Sequence, residues 1–63
     1  MPVITIEAGK MSKEQKAKLV NEVVLKASET LNIPEQAFVT IIKENEFDNI
    51  GSGTKLLSEK KTD

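Results

Sequence analysis

At 63 residues the chain can form one small domain, and a domain this short buries only ~60% of the surface its unfolded form exposes, so it ordinarily needs a disulfide, a metal or self-association to hold it. It contains no cysteine and no histidine, which removes disulfides and the usual zinc ligand sets and leaves self-association as the available support. Nine basic residues, all lysine, stand against ten acidic ones for a net charge of −1; that balance, with no basic block, argues against a nucleic-acid partner.

Val3-Ile4-Thr5-Ile6-Glu7 is a β-branched run and predicts a first strand. After a short connection, Ala8-Gly9-Lys10-Met11, Ser12 followed three residues later by Gln15 forms the signature of a capping box at a helix start. Ala17, Val20, Val24, Ala27 and Leu31, with Val23 alongside, then recur at spacings of three and four, which predicts one amphipathic helix. Glu14–Lys18 and Glu22–Lys26 are spaced as i,i+4 pairs on its solvated side. Leu19 and Leu25 fall off the stripe and are expected to be exposed. Asn32 tolerates the left-handed conformation of a C-terminal cap, and Pro34 ends the helix.

Residues 37–43, Ala-Phe-Val-Thr-Ile-Ile-Lys, predict a second and more buried strand. Residues 45–54 are polar, carry Gly51 and Gly53, and predict a loop or short hairpin; residues 60–63 predict a frayed end. Strand, long helix, strand is a βαβ unit, so the fold class is α/β, with two parallel strands, one helix and a short C-terminal hairpin or loop. It spans 1–63 as a single domain. One helix on a two-stranded sheet leaves a bare face and unpaired edges, which again favours an oligomer.

Chemistry has few places to sit. Without Cys and His most nucleophile–base constellations are excluded. Gly51-Ser52-Gly53-Thr54-Lys55 lacks the spacing of a phosphate loop and is read as turn geometry. Glu44, Glu46 and Asp48 are read as a solvated acidic cluster, with metal binding the less favoured alternative. Pro2 stands out: removal of Met1 would expose a secondary amine at the start of a strand, and burial or neighbouring lysines would lower its pKa toward working pH. On the residues alone a Met-Pro start is a weak signal. The sequence has no apolar run of the ~20 residues needed to cross a bilayer and no signal-peptide pattern, so a cytoplasmic location is expected.

Taken in order, Pro2-Val3-Ile4-Thr5-Ile6, Ser12-Lys13-Glu14-Gln15-Lys16, Ile41-Ile42-Lys43-Glu44, Asn49-Ile50-Gly51-Ser52-Gly53 and Lys55-Leu56-Leu57-Ser58 resemble the 4-oxalocrotonate tautomerase family, and within it the DmpI-like branch. The resemblance covers nearly the whole chain. It implies a hexamer built as a trimer of dimers and keto–enol isomerisation of a 2-oxo or 2-hydroxy unsaturated acid. It also implies Pro2 as the catalytic proline and no cofactor. Ile50 falls where the family usually has an active-site aromatic from a neighbouring subunit. The family clamps its substrate with arginines, whereas this chain has none: Val39 occupies one such position, and the other falls at Lys10 or Met11. Lys10 is thus a candidate for substrate charge, against the plainer reading of a solvated loop lysine; lysine supplies charge without the bidentate fork. Two alternatives stay open: another proline-dependent reaction such as hydration, and an oligomer that binds or scaffolds without efficient catalysis.

Overall fold

The computed structural model describes residues 1–59, and the frayed end expected at 60–63 lies outside them. Strand β1 (Val3–Ala8) is followed by helix α1 (Lys13–Leu31), strand β2 (Val39–Glu44) and a hairpin of β3 (Gly51–Ser52) and β4 (Lys55–Leu56). Single 3-10 turns occupy Glu35–Ala37, Phe47–Asn49 and Leu57–Glu59. β1 and β2 pair in parallel, Val3 opposite Val39 through to Ala8 opposite Glu44. The predicted βαβ unit is present, and of the two options for the C-terminal segment the chain takes the hairpin. Its turn uses Gly53 at φ +65°, a left-handed conformation that glycine adopts without a Cβ clash.

The helix boundaries follow from side-chain chemistry. Ser12 Oγ accepts from the Gln15 N–H at 3.1 Å, and Gln15 Oε1 accepts from the Ser12 N–H at 2.9 Å. Both are donors that a helix start otherwise leaves unpaired. At the other end Asn32 takes φ 58° and its N–H returns to the Ser28 carbonyl, while the Ser28 hydroxyl donates to the Ile33 carbonyl.

The buried stripe of α1 is rotated from the one expected. Lys16, Leu19, Val20, Val23, Val24, Ala27 and Ser28 are the half-buried positions. Leu19 therefore belongs to the sheet-facing side, contrary to expectation, while Ala17 turns to solvent; Leu25 is 45% exposed as expected. Leu31 is 54% exposed. Nineteen helical residues run about 28 Å and outlast strands of six residues, which reach only roughly 20 Å, so the last turn has no sheet beneath it. On the solvated side Lys26 pairs with Glu29 at 3.4 Å, not with Glu22.

Because side chains alternate along a strand, the sheet has two unlike faces. Ile4, Ile6, Ala8, Thr40 and Ile42 are half-buried beneath α1. Val3, Thr5, Glu7, Val39, Ile41 and Lys43 form the other face and are all exposed. β2 is thus not the more buried strand in a single chain: Val39 is 41% and Ile41 45% exposed. No described residue is fully buried. The surface is 5170 Å², where a free-standing protein of 6.9 kDa exposes about 4,000 Å². Its radius of gyration is 15.2 Å against about 11 Å for a compact domain of this length.

One carboxylate ties the sheet to the helix start. Glu44, at the end of β2, accepts from the Met11 N–H at 2.9 Å through Oε2 and meets Lys16 Nζ at 2.9 Å through Oε1. The Met11 hydrogen bond, then Lys16, hold its carboxyl below the ordinary carboxylate range. A carboxyl with a depressed pKa in the folded state stabilises above its unfolded pKa, and that contribution disappears as pH falls through the folded value. Glu44→Gln should therefore lower the thermal midpoint near pH 7, with the difference from wild type closing as pH falls below about 4. Melting curves across pH check this; a difference that stays constant down to pH 2 would show that the charge is not what holds the loop.

Candidate functional site

The candidate residues fall at two opposite ends of the sheet. At the end where the strands begin, Pro2 is half-buried and its carbonyl accepts the Val39 N–H at 3.0 Å. Val39 is also the register partner of Val3. This pairing fixes the proline ring beside the start of β2 and leaves Val39 on the open sheet face. Val39 brings no charge there, and among the described residues no ion pair lies at this end of the sheet.

At the far end, roughly 20 Å away along the strands, Lys10 follows β1 in the short loop into α1. Its Nζ meets Glu46 Oε2 at 2.8 Å, with both side chains largely exposed. The hydrogen bond from Lys10 to Glu46 and the charge of Glu46 raise the lysine's pKa. Lys10, Asn45, Glu46 and Phe47 line an open cavity of about 360 Å³. The Phe47 ring lies against Gly9, where a Cβ would come within 3.4 Å of it. Ile50 sits next in the chain, half-buried, donating its N–H to the Phe47 carbonyl at 3.3 Å and accepting the Leu57 N–H at 2.8 Å. It thereby holds the hairpin against the Phe47–Asn49 turn.

One chain therefore brings Pro2 to Val39, and brings Lys10 to the segment that carries Ile50, but does not bring the two groups together. Two cavity residues, Phe47 and Asn45, were passed over in reading the sequence, and Glu46 was weighed only as part of the acidic cluster. Phe47 is one of only two aromatics in the chain, and that rarity was the signal available. The acidic cluster is not merely solvated: Glu44 engages Lys16 and the Met11 N–H, and Glu46 engages Lys10. Among the described residues no three acidic side chains converge as a metal-binding group.

A second open cavity, about 330 Å³, lies between α1 and β2, lined by Val20, Asn21, Val24, Glu35, Phe38 and Thr40. It is a groove under the helix edge at the Pro2 end of the molecule and contains one carboxylate and no cation.

Known proteins with this arrangement are informative. A homologue of 4-oxalocrotonate tautomerase, YwhB, superposes with a TM-score of 0.87 at 30% identity, over 95% of this chain and 100% of its own. DmpI from Archaeoglobus fulgidus gives 0.83 at 26% identity, over 92% of this chain and 100% of its own. DmpI from Helicobacter pylori gives 0.78 at 28%, over 90% and 97%. No functionally curated sequence matches the chain significantly. The family model described as tautomerase enzyme matches residues 2–60, and with the βαβ fold and these structural relatives it establishes that the chain belongs to the tautomerase family, in its 4-oxalocrotonate tautomerase group.

Proposed function

We propose that this chain is a tautomerase catalysing keto–enol proton transfer on a 2-hydroxy or 2-oxo unsaturated acid, with the secondary amine of Pro2 as general base and then general acid. The observation that carries the reading is the position of Pro2 in a tautomerase fold: half-buried and clamped through its carbonyl to the Val39 N–H, so that its nitrogen takes no part in the sheet. Met1 is 88% exposed, open to an aminopeptidase. While Met1 remains, the proline nitrogen is an amide without useful basicity. Once it is removed, the neutral amine can take a proton from the substrate, and the ammonium so formed can return it to a different carbon.

The same reading includes a homo-oligomer, with a hexamer favoured, acting on a small molecule without cofactor in the cytoplasm, and one domain over 1–63. Among the described residues no helix is long and apolar enough to cross a membrane. Self-association is supported by the exposed apolar side chains of Val3, Val39 and Ile41 on the open sheet face. The surface of about 1,200 Å² in excess of a compact monomer also exceeds the ~800 Å² that one partner gives to a standard interface. In such an assembly Lys10 and Ile50 of one subunit would meet Pro2 and Val39 of others, which the separation within one chain requires. Sedimentation equilibrium at micromolar concentration should give a multiple of 6.9 kDa, six-fold being favoured; a clean monomer would end this reading.

Ketonisation of a simple enol such as phenylenolpyruvate should be faster with Met1 removed by about 10²–10⁴-fold, the usual contribution of a general base. The rate should rise with pH as the amine loses its proton. Pro2→Ala should lose less than the Met1-retaining form, since a primary amine remains after processing. Equal rates with and without Met1 would take Pro2 out of the mechanism. The absence of arginine favours one second reading, an assembly that binds or scaffolds with little catalysis. Val39→Arg separates the two: on the tautomerase reading it should lower KM for a dicarboxylate enol, because a guanidinium can grip a carboxylate in two places. An unchanged KM in a folded variant would show that Val39 is not in the substrate site.

A further inference from the structure

We infer that Glu46 is a specificity-determining residue that holds the Lys10 ammonium and biases the site toward monoanionic enol acids with an apolar substituent, and away from dicarboxylates. The inference rests on the tautomerase reading in one respect, that the loop carrying Lys10 lies against the substrate. Its direct observations are the 2.8 Å Lys10–Glu46 contact and the makeup of the cavity around it.

That cavity is lined by one cation, one carboxylate, one amide and one aromatic ring: Lys10, Glu46, Asn45 and Phe47. Its formal charge is zero. A substrate with one carboxylate and an apolar tail could set the tail against Phe47, which is 53% exposed, and hydrogen-bond to Asn45. A second carboxylate would need a cation of its own. Lys10 would have to leave Glu46, and the new anion would then lie beside the released glutamate. Of the other lysines near this end, Lys16 is engaged by Glu44, and Lys13 and Lys55 do not line the cavity. Lys43 is on the opposite sheet face, in register with Glu7. No arginine exists to take the load. Glu46 thus competes for Lys10 from within the protein, as a substrate carboxylate would from outside.

The ion pair is exposed, and exposed pairs are weak, which sets the scale: releasing Lys10 should change binding by about two- to five-fold, not by orders of magnitude. The test is titration of the assembled, Met1-processed protein with fumarate, a dicarboxylate, and cinnamate, an aryl monocarboxylate, followed by backbone amide NMR shifts. Glu46→Gln should tighten fumarate about two- to five-fold and leave cinnamate within the wild-type range. Adding Lys10→Met to Glu46→Gln should abolish the gain, and Glu29→Gln, which frees Lys26 on the outer helix face, should give none. Glu46→Asp, which keeps the charge on a shorter stem, should give a smaller gain than Glu46→Gln and serves in its place if that variant fails to assemble. Unchanged fumarate binding, equal tightening of both probes, or a gain that survives loss of Lys10 would each overturn the proposal. Because the readout is binding, a processed protein that fails to ketonise any enol would sink the tautomerase reading and still leave this test decisive.

Discussion

The parallel pairing of β1 with β2 governs everything else in this molecule. Its register sets Val3, Thr5 and Glu7 beside Val39, Ile41 and Lys43 on one face, and Ile4, Ile6 and Ala8 beside Thr40, Ile42 and Glu44 on the other. One helix is enough to cover the second set and nothing remains to cover the first. A slip of one residue in either strand would send its apolar side chains to the wrong side, so the arrangement has little tolerance. The same register brings the Pro2 carbonyl to the Val39 N–H at one end and leaves Asn45 to donate to the Ala8 carbonyl at 2.9 Å at the other. The two candidate clusters are therefore held apart by the length of a strand.

Most of the architecture was legible because local chemistry announces it. Ser12 with Gln15, Asn32, Pro34 and the β-branched run from Val3 each act within a few residues, and the structure uses them as the sequence suggests. What was misread depended on partners distant in sequence. Leu19 turned out to face the sheet because Lys16, not Ala17, opens the buried stripe, its ammonium meeting Glu44 from twenty-eight positions further along the chain. Lys26 chose Glu29 over Glu22, a matter of rotamers between weak alternatives. β2 read as a buried strand because Val39-Thr40-Ile41-Ile42 is apolar on both sides, yet one side has no cover within the chain. Of the candidate site, Pro2 was singled out by position and Val39 by resemblance, and the structure sets the two side by side. The Lys10–Glu46 pair was not legible, since nothing in a stretch of alternating acids says which one a loop lysine will meet.

A chain with lysine as its only strong cation faces a particular chemical restriction. Lysine concentrates its charge on one rotatable ammonium and is easily claimed by the nearest carboxylate. Here Lys10 and Lys16 are both claimed, by Glu46 and Glu44. One of these pairs secures the loop between β1 and α1, and the other occupies the mouth of a cavity. They resemble each other in geometry but not in consequence, because Glu44 also accepts a backbone N–H and Glu46 has no such third partner among the hydrogen bonds described. The first is built into the fold; the second can be exchanged.

The hydrogen bond that anchors the chain start runs through the carbonyl of Pro2 and leaves its nitrogen out of the ladder. Proline has no N–H to donate in any case, so cutting the peptide bond before it removes no contact on which the strand depends. On the proposed function, folding would thereby be uncoupled from the unmasking of the amine: Met1 would act as a protecting group on a finished scaffold, its removal leaving the strand pairing as it was.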